Sequence, residues 1–217
     1  MTLRVLITGF GPFPGAPFNP TMPLVDRLTD LRRPALDGVA LSGHIFHVTY
    51  DTVDRELPQL IAERRPHALL MFGLASRTDY LRIETRARNA VTTHLPDADG
   101  NRAQSASIVR AADARLFGPH TASLLRAARA TGIDARLSRD AGAYLCNYLS
   151  WRAIEATRQA GGPSLAAFIH VPLVTRDRAA REGAITLEQL VDAGEAMLME
   201  MVRLTRQAMR APELTTP

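Results

Sequence analysis

Short apolar runs alternate along this chain with amphipathic segments of helical period, and this alternation restricts the possible folds more than any other feature. Residues 3–8, 67–72 and 165–171 are almost continuously apolar, as expected for parallel strands covered by helices on both faces. Helical periods occupy the stretches between and after them, at residues 120–131, 144–160 and 186–209 and after Thr21 and Asp51. We therefore predict an α/β fold, a three-layer α/β/α sandwich with a mainly parallel central sheet.

Weaker patterns complete this prediction. Thr21 and Asp51 are expected to cap the first two helices, and residues 39–50 and 135–138 are expected to be extended. Apolar and polar side chains alternate over residues 81–88, which predicts a strand with Glu84 on its polar face. Residues 92–120 have no clear period and are interpreted as a loop.

The amino-acid composition limits the number of domains and the classes of function that are possible for this chain. The 217 residues, 46% of them apolar, predict a single domain over residues 1–217. All 26 basic residues are Arg, which excludes a Schiff-base lysine and a phosphate-loop lysine. The net charge is only +4 and the arginines are scattered among acids, so no nucleic-acid partner is expected. No run approaches the roughly 20 apolar residues of a membrane span, and one Cys favours a cytoplasmic location.

Chemistry is expected where predicted strands end, because ligands of α/β sheets bind beyond the carboxyl ends of strands. Cys146 falls in the first turn of a predicted helix, where free N–H groups and the helix dipole favour a thiolate. Alone, Cys146 is better interpreted as buried and apolar, His170 as a core histidine, and Glu84 as a solvated or salt-bridged carboxylate. Together they are the parts of a nucleophile, a base and an orienting group.

Two aromatic residues follow the first strand. Phe10 and Phe13 could form the walls of a pocket for a small flat ligand, or could simply cover the edge of the sheet. The histidines lack metal-ligand spacing, and one Cys cannot build a structural zinc site. We therefore expect neither a metal nor a cofactor.

Four blocks of sequence resemble the pyroglutamyl peptidase I family of C15 cysteine peptidases. They comprise residues 8–13 with 19–21, Ile83 and Glu84 with Ala87 and Asn89, residues 140–147, and residues 168–172. The resemblance implies that Cys146 is the nucleophile, His170 its base and Glu84 the third member of the triad. It also implies that Phe10 and Phe13 sandwich a lactam ring, and that Tyr144 and Leu145 line the same pocket.

The resemblance further implies a substrate class and an assembly. The family removes N-terminal pyroglutamate from small peptides through a thioester, without a cofactor, and forms homo-oligomers, so a dimer or tetramer is expected. Among the departures from the family pattern, Leu74 replaces a Gln, and His94 replaces an active-site Arg and is expected to contact substrate. The alternatives are a hydrolase of another lactam or N-blocked amide with the same triad, and a weakly active lactam-binding protein.

Overall fold

Eight strands and five helices are seen in the computed structural model, which describes residues 2–13, 15–110, 113–174 and 185–210. The strands are β1 (Leu3–Phe10), β2 (Val39–Phe46), β3 (Ala68–Leu74), β4 (Leu81–Glu84), β5 (Arg86–Arg88), β6 (Ala114–Leu116), β7 (Ala135–Ser138) and β8 (Leu165–Val171). The helices are α1 (Thr21–Thr29), α2 (Tyr50–Arg64), α3 (His120–Arg129), α4 (Leu145–Ala156) and α5 (Leu187–Arg210).

The central sheet has six strands in the order β2-β1-β3-β8-β4-β7. Strands β2, β1, β3 and β8 are parallel, β4 pairs antiparallel with β8, and β7 is parallel to β4. The prediction of a mainly parallel sheet is therefore confirmed. Strands β5 and β6 form a separate antiparallel pair.

Helices cover both faces of this sheet, as the apolar runs predict. One core contains the inward side chains of α1, α3 and α5, including Leu24, Leu124 and Met201. The other contains those of α2 and α4, including Leu57 and Trp151. Alternate residues of β1, β3 and β8 enter opposite cores, so the three-layer α/β/α prediction is confirmed.

Both predicted helix caps are wrong. Helix α1 starts with Pro20 as its N-cap, and the Thr21 hydroxyl instead accepts the Phe10 N–H at 3.0 Å and donates to the Phe10 carbonyl. Thr49 caps α2, because the chain is extended there and its Oγ1 accepts the Thr52 N–H at 3.2 Å. Asp51 lies in the first turn of α2 and pairs with Arg55 on the surface.

The prediction for residues 81–88 is also wrong in part. The segment is two strands that belong to different sheets, because β4 ends at Glu84 and the Thr85 N–H donates to the Ser138 carbonyl of β7. Glu84 is completely buried rather than on a polar face. Residues 92–120 are largely irregular, but they contain β6, which was not predicted because the segment has no periodic pattern. Within the described ranges, no helix is long and apolar enough to cross a membrane.

Candidate active site

The structure brings together Glu84, Cys146 and His170, the three side chains that the sequence predicts at the ends of strands and at the start of a helix. Glu84 ends β4, His170 lies near the end of β8, and Cys146 lies in the first turn of α4. His170 Nδ1 is 2.8 Å from Glu84 Oε1, with the carboxylate completely buried and the His170 side chain 6% exposed. Because Nδ1 is occupied by Glu84, Nε2 is the ring nitrogen left for the Cys146 thiol.

The Cys146 sulfur fits beside His170 because residue 73 has no side chain. Gly73 on β3 is the register partner of His170 on β8. A Cβ at Gly73 would lie 2.7 Å from Cys146 Sγ and 2.6 Å from Cζ of Phe168, closer than real Cβ contacts. Sequence reasoning did not find Gly73, although a glycine directly after the apolar run 67–72 was a visible signal.

Charges and hydrogen bonds among Cys146, His170 and Glu84 change the pKa of His170. Burial opposes the charged imidazolium of His170, but the charge and hydrogen bond of Cys146, followed by the hydrogen bond and charge of Glu84, raise the pKa of His170 to about 9. The imidazole therefore keeps its proton at neutral pH when the sulfur is a thiolate. This is the charge distribution of a nucleophile with a ready proton donor next to it.

The N-terminus of helix α4 can stabilise a negative charge. Tyr144 is its N-cap without a side-chain cap bond, and its first turn contains no acidic residue. The Tyr148 N–H is the one that donates to the Tyr144 carbonyl, so the amides of residues 145–147 precede the first intrahelical bond. Uncapped amides and the helix dipole favour an anion at this end, which is where the Cys146 sulfur lies.

Asn147 connects α4 to the chain that follows Glu84. Its side chain is fully buried, accepts the Arg88 N–H at 2.8 Å, and donates to the carbonyls of Arg88 and Ala90 at 2.8 and 2.9 Å. The residue after Cys146 therefore ties helix α4 to strand β5. Its signal in the sequence was a polar side chain in an otherwise apolar helix start.

Arg82 is a second residue that sequence reasoning missed. Its Nη2 lies 3.1 Å from Glu84 Oε1, and it lines a cavity of about 420 Å³ together with His170, residues 74–78 and residues 140–142. The arginines that flank Glu84 indicated a solvated or salt-bridged carboxylate, and the structure shows the salt bridge to Arg82. The place of Arg82 in the site was missed, since the pairing of β4 with β8 cannot be inferred from one strand.

The predicted aromatic residues lie in and against the α2/α4 core. Phe10 is only 3% exposed and packs 6.0 Å from the Phe46 ring, and Leu145 is 1% exposed. Phe13 and Tyr144 are partly buried against the same core, as is Cys146. The Tyr144 hydroxyl donates to the Pro96 carbonyl at 2.8 Å, and burial, Asp97 and then Cys146 raise the pKa of Tyr144 to about 12.

His94 is placed differently from the triad. It is exposed, and its backbone N–H lies 3.4 Å from Thr92 Oγ1. In the part of the chain that the structure describes, its side chain forms no hydrogen bond or ion pair with Cys146, His170 or Glu84, and its contact with substrate stays a prediction. Among those residues there is also no group of three or more His, Cys, Asp or Glu side chains that could hold a metal ion.

A thiol at a helix start, next to an imidazole that a buried carboxylate orients, is the arrangement of a cysteine-nucleophile hydrolase on an α/β/α sandwich. Comparison with known proteins gives the family within this class. The model of the pyroglutamyl peptidase family, peptidase C15, matches residues 3–203. This chain therefore belongs to the pyroglutamyl peptidase family, and the resemblance seen in the sequence is confirmed.

Individual relatives agree. A pyrrolidone-carboxylate peptidase of Thermococcus onnurineus is 31% identical over 198 residues, covering 90% of this chain and 97% of the relative. One from Pyrococcus furiosus is 29% identical over 173 residues, covering 79% and 82%. The solved structure of pyrrolidone carboxyl peptidase from Thermococcus litoralis has a TM-score of 0.84 and 26% identity, covering 100% of both chains.

Proposed function

We propose that this member of the family cleaves the amide bond after an N-terminal pyroglutamyl residue, with Cys146 as nucleophile, His170 as proton carrier and Glu84 as the carboxylate that orients His170. The observation that carries the assignment is the 2.8 Å bond from His170 Nδ1 to the completely buried Glu84. That bond leaves Nε2 as the ring nitrogen for the thiol, which charge and a hydrogen bond couple to the imidazole.

The first half of the reaction forms a thioester. The Cys146 thiolate attacks the carbonyl carbon that joins pyroglutamate to the next residue, and the carbonyl oxygen becomes an oxyanion. When this intermediate collapses, the C–N bond breaks and His170 gives its Nε2 proton to the leaving amine. The shortened peptide leaves, and pyroglutamate remains bound to Cys146 Sγ as a thioester.

The second half hydrolyses this thioester. Neutral His170 removes a proton from water as the water oxygen attacks the thioester carbon, and the C–S bond then breaks. Pyroglutamic acid leaves, and the thiolate and the imidazolium are restored. In both halves the uncapped amides at the start of α4 are placed to stabilise the oxyanion.

The lactam pocket is part of the same proposal. Phe13 and Tyr144 supply partly buried aromatic surface against the same core as Cys146, and Phe10 and Leu145 belong to that core. A neutral ring without a free amine suits such a pocket, since apolar walls need no charged anchor. His94 would approach the substrate from the exposed side.

Location and assembly extend the proposal. A cytoplasmic enzyme is supported by the single, free and partly exposed Cys146, because a nucleophilic thiol needs a reducing medium. Small peptides with N-terminal pyroglutamate would be its partners, and a homo-oligomer, a dimer or tetramer, is proposed from the family. Sedimentation of the purified protein measures the assembly directly.

The test is hydrolysis of a pyroglutamyl chromogenic amide by the full chain. We expect release by the wild type, loss of release in Cys146→Ala, and loss after alkylation with iodoacetamide, which can modify only one cysteine in this chain. A panel of other lactam and N-acetyl amides separates the alternative hydrolases. Thiol-independent release, or binding of pyroglutamate without any turnover between pH 6 and 9, would refute the proposal.

A further inference from the structure

Arg82 contacts the triad carboxylate, and the proposed reaction does not use it. Its Nη2 lies 3.1 Å from Glu84 Oε1, the same oxygen that is 2.8 Å from His170 Nδ1. The other carboxylate oxygen, Oε2, is buried and has no hydrogen-bond partner among the described residues. One oxygen of Glu84 therefore carries both of these contacts, one to an imidazole and one to a permanent cation.

The guanidinium of Arg82 is held from the neighbouring strand. Its Nη2 donates to Ser138 Oγ at 2.9 Å and also contacts the Asp140 carbonyl oxygen. Arg82 is the register partner of His170 on β8 and of Arg136 on β7, so strand pairing fixes its backbone from both sides. Only 21% of its side chain is exposed. The Arg82 guanidinium is therefore held in one position, unlike that of a mobile surface arginine.

Several charged groups face His170. Cys146 approaches it from α4, Glu84 and Arg82 from β4, and Arg77 and Asp140 line the cavity that His170 shares. The carboxylate of Asp140 is paired with Arg88 at 2.9 Å. Within the described ranges, Arg82 is the arginine bonded to Glu84.

Removing a cation from this position has two physical consequences. A carboxylate that is completely buried needs partners for its charge, and without Arg82 it would depend on His170 alone. The imidazolium would also lose a like-charged neighbour, which favours its protonated form.

We propose that Arg82 is a positioning residue of the triad, which holds the Glu84 carboxylate directed at His170 and limits how tightly His170 retains its proton. The inference rests on the proposed function, in which His170 must both give and take a proton. A group that is too basic gives up its proton slowly to the leaving amine.

The experiment compares Arg82→Met with Arg136→Met in the full chain. Arg136 is the register partner of Arg82, but it is exposed and pairs with Asp134, so it serves as a matched control. We expect Arg82→Met to lower kcat about tenfold with KM within about twofold, the size expected for loss of one charge-assisted hydrogen bond. The alkaline limb of the kcat profile should move up by about one pH unit.

Two further variants test the charge itself. Arg82→Lys should return the alkaline limb to its wild-type position and recover part of kcat. Ser138→Ala removes the 2.9 Å anchor but keeps the backbone bond from Thr85, and it should lower kcat roughly two- to threefold in the same direction. This variant provides the test if Arg82→Met does not fold.

Alkylation of the single cysteine by iodoacetamide, followed against pH, gives a readout that needs no substrate. A shift of this profile in Arg82→Met, absent in Arg136→Met, supports the inference even if pyroglutamyl amides are not cleaved, in which case only the proposed function fails. Equal profiles for the two Met variants, or a kcat loss that Arg82→Lys shares without any shift of the limb, would overturn it.

Discussion

Replacing Gly73 by Ala should inactivate the site by displacing one sulfur atom. The new Cβ would lie 2.7 Å from Cys146 Sγ, whereas ordinary contacts begin at 3.4 Å, so the sulfur must retreat by about 0.7 Å. The same Cβ would lie 2.6 and 2.9 Å from two ring atoms of Phe168, so the methyl group is crowded by the ring as well as by the sulfur. A misplacement of this order lowers kcat by roughly 100-fold when it affects the attacking atom.

The backbone is not the reason for a glycine here. Gly73 is not among the glycines with positive φ, so Ala can adopt its conformation and the effect comes from crowding alone. Overpacking of this kind costs about 1–3 kcal/mol of unfolding free energy, partly offset because Ala restricts the unfolded chain.

The matched control is Gly43→Ala on β2 of the same sheet. Its Cβ would meet side-chain methyl groups of Thr29 and Val25 at 3.0 and 3.1 Å, far from the triad. Urea unfolding, kcat on a pyroglutamyl amide and the rate of iodoacetamide alkylation should be measured for both variants. Comparable losses of stability but a loss of kcat and of alkylation only in Gly73→Ala are expected. Wild-type kcat in Gly73→Ala would refute the reasoning.

Three further predictions concern pH, packing and substrate. Because the pKa of His170 is raised to about 9, kcat should decline above that pH. The stability that His170 contributes is complete below pH 6.5 and is lost as pH rises through 9, so the Tm difference between wild type and His170→Gln should shrink over that interval. A Tm difference that grows with pH would contradict the raised pKa. Asn147→Ala leaves three backbone groups of β5 and its continuation without partners, and urea unfolding should show a loss of about 3 kcal/mol that the exposed Asn101→Ala does not show. Phe13→Ala should raise KM for a pyroglutamyl amide roughly tenfold with little change in kcat, and an unchanged KM would remove Phe13 from the lactam pocket.

The sequence predicted the architecture well where side-chain periods were strong. Strand β8 has the predicted bounds, 165–171, because a nearly continuous apolar run that ends at Pro172 is typical of a buried strand. Strand β7 also has its predicted bounds, 135–138, although its pattern is weaker. Helix α4 ends at residue 156 rather than 160, since the chain turns before Gly161 and Gly162. Thr21 and Asp51 were misassigned because a short polar side chain that could cap a helix can equally well hydrogen-bond to a neighbouring strand or form a salt bridge.

The candidate site was predictable in its parts but not in its geometry. Cys146 and His170 could be found from a helix start and an interrupted apolar strand. The burial of Glu84 could not be foreseen, because it depends on β4 running antiparallel to β8, a pairing between residues far apart in sequence. Arg82 and Gly73 were missed for the same reason, since each matters only through its register partner.

The position of β8 in the strand order has a consequence for how the protein folds. Strands β2, β1 and β3 precede it in the chain on one side, and β4 and β7 precede it on the other, so the sheet has two separate halves until residues 165–171 are made. β8 then joins them with seven register pairs to β3 and two to β4. Contacts of this sequence separation form slowly, and a nascent chain that stops before β8 exposes two unpaired strand edges. His170 lies on that joining strand, so Glu84 and Cys146 acquire their common partner in the step that closes the sheet.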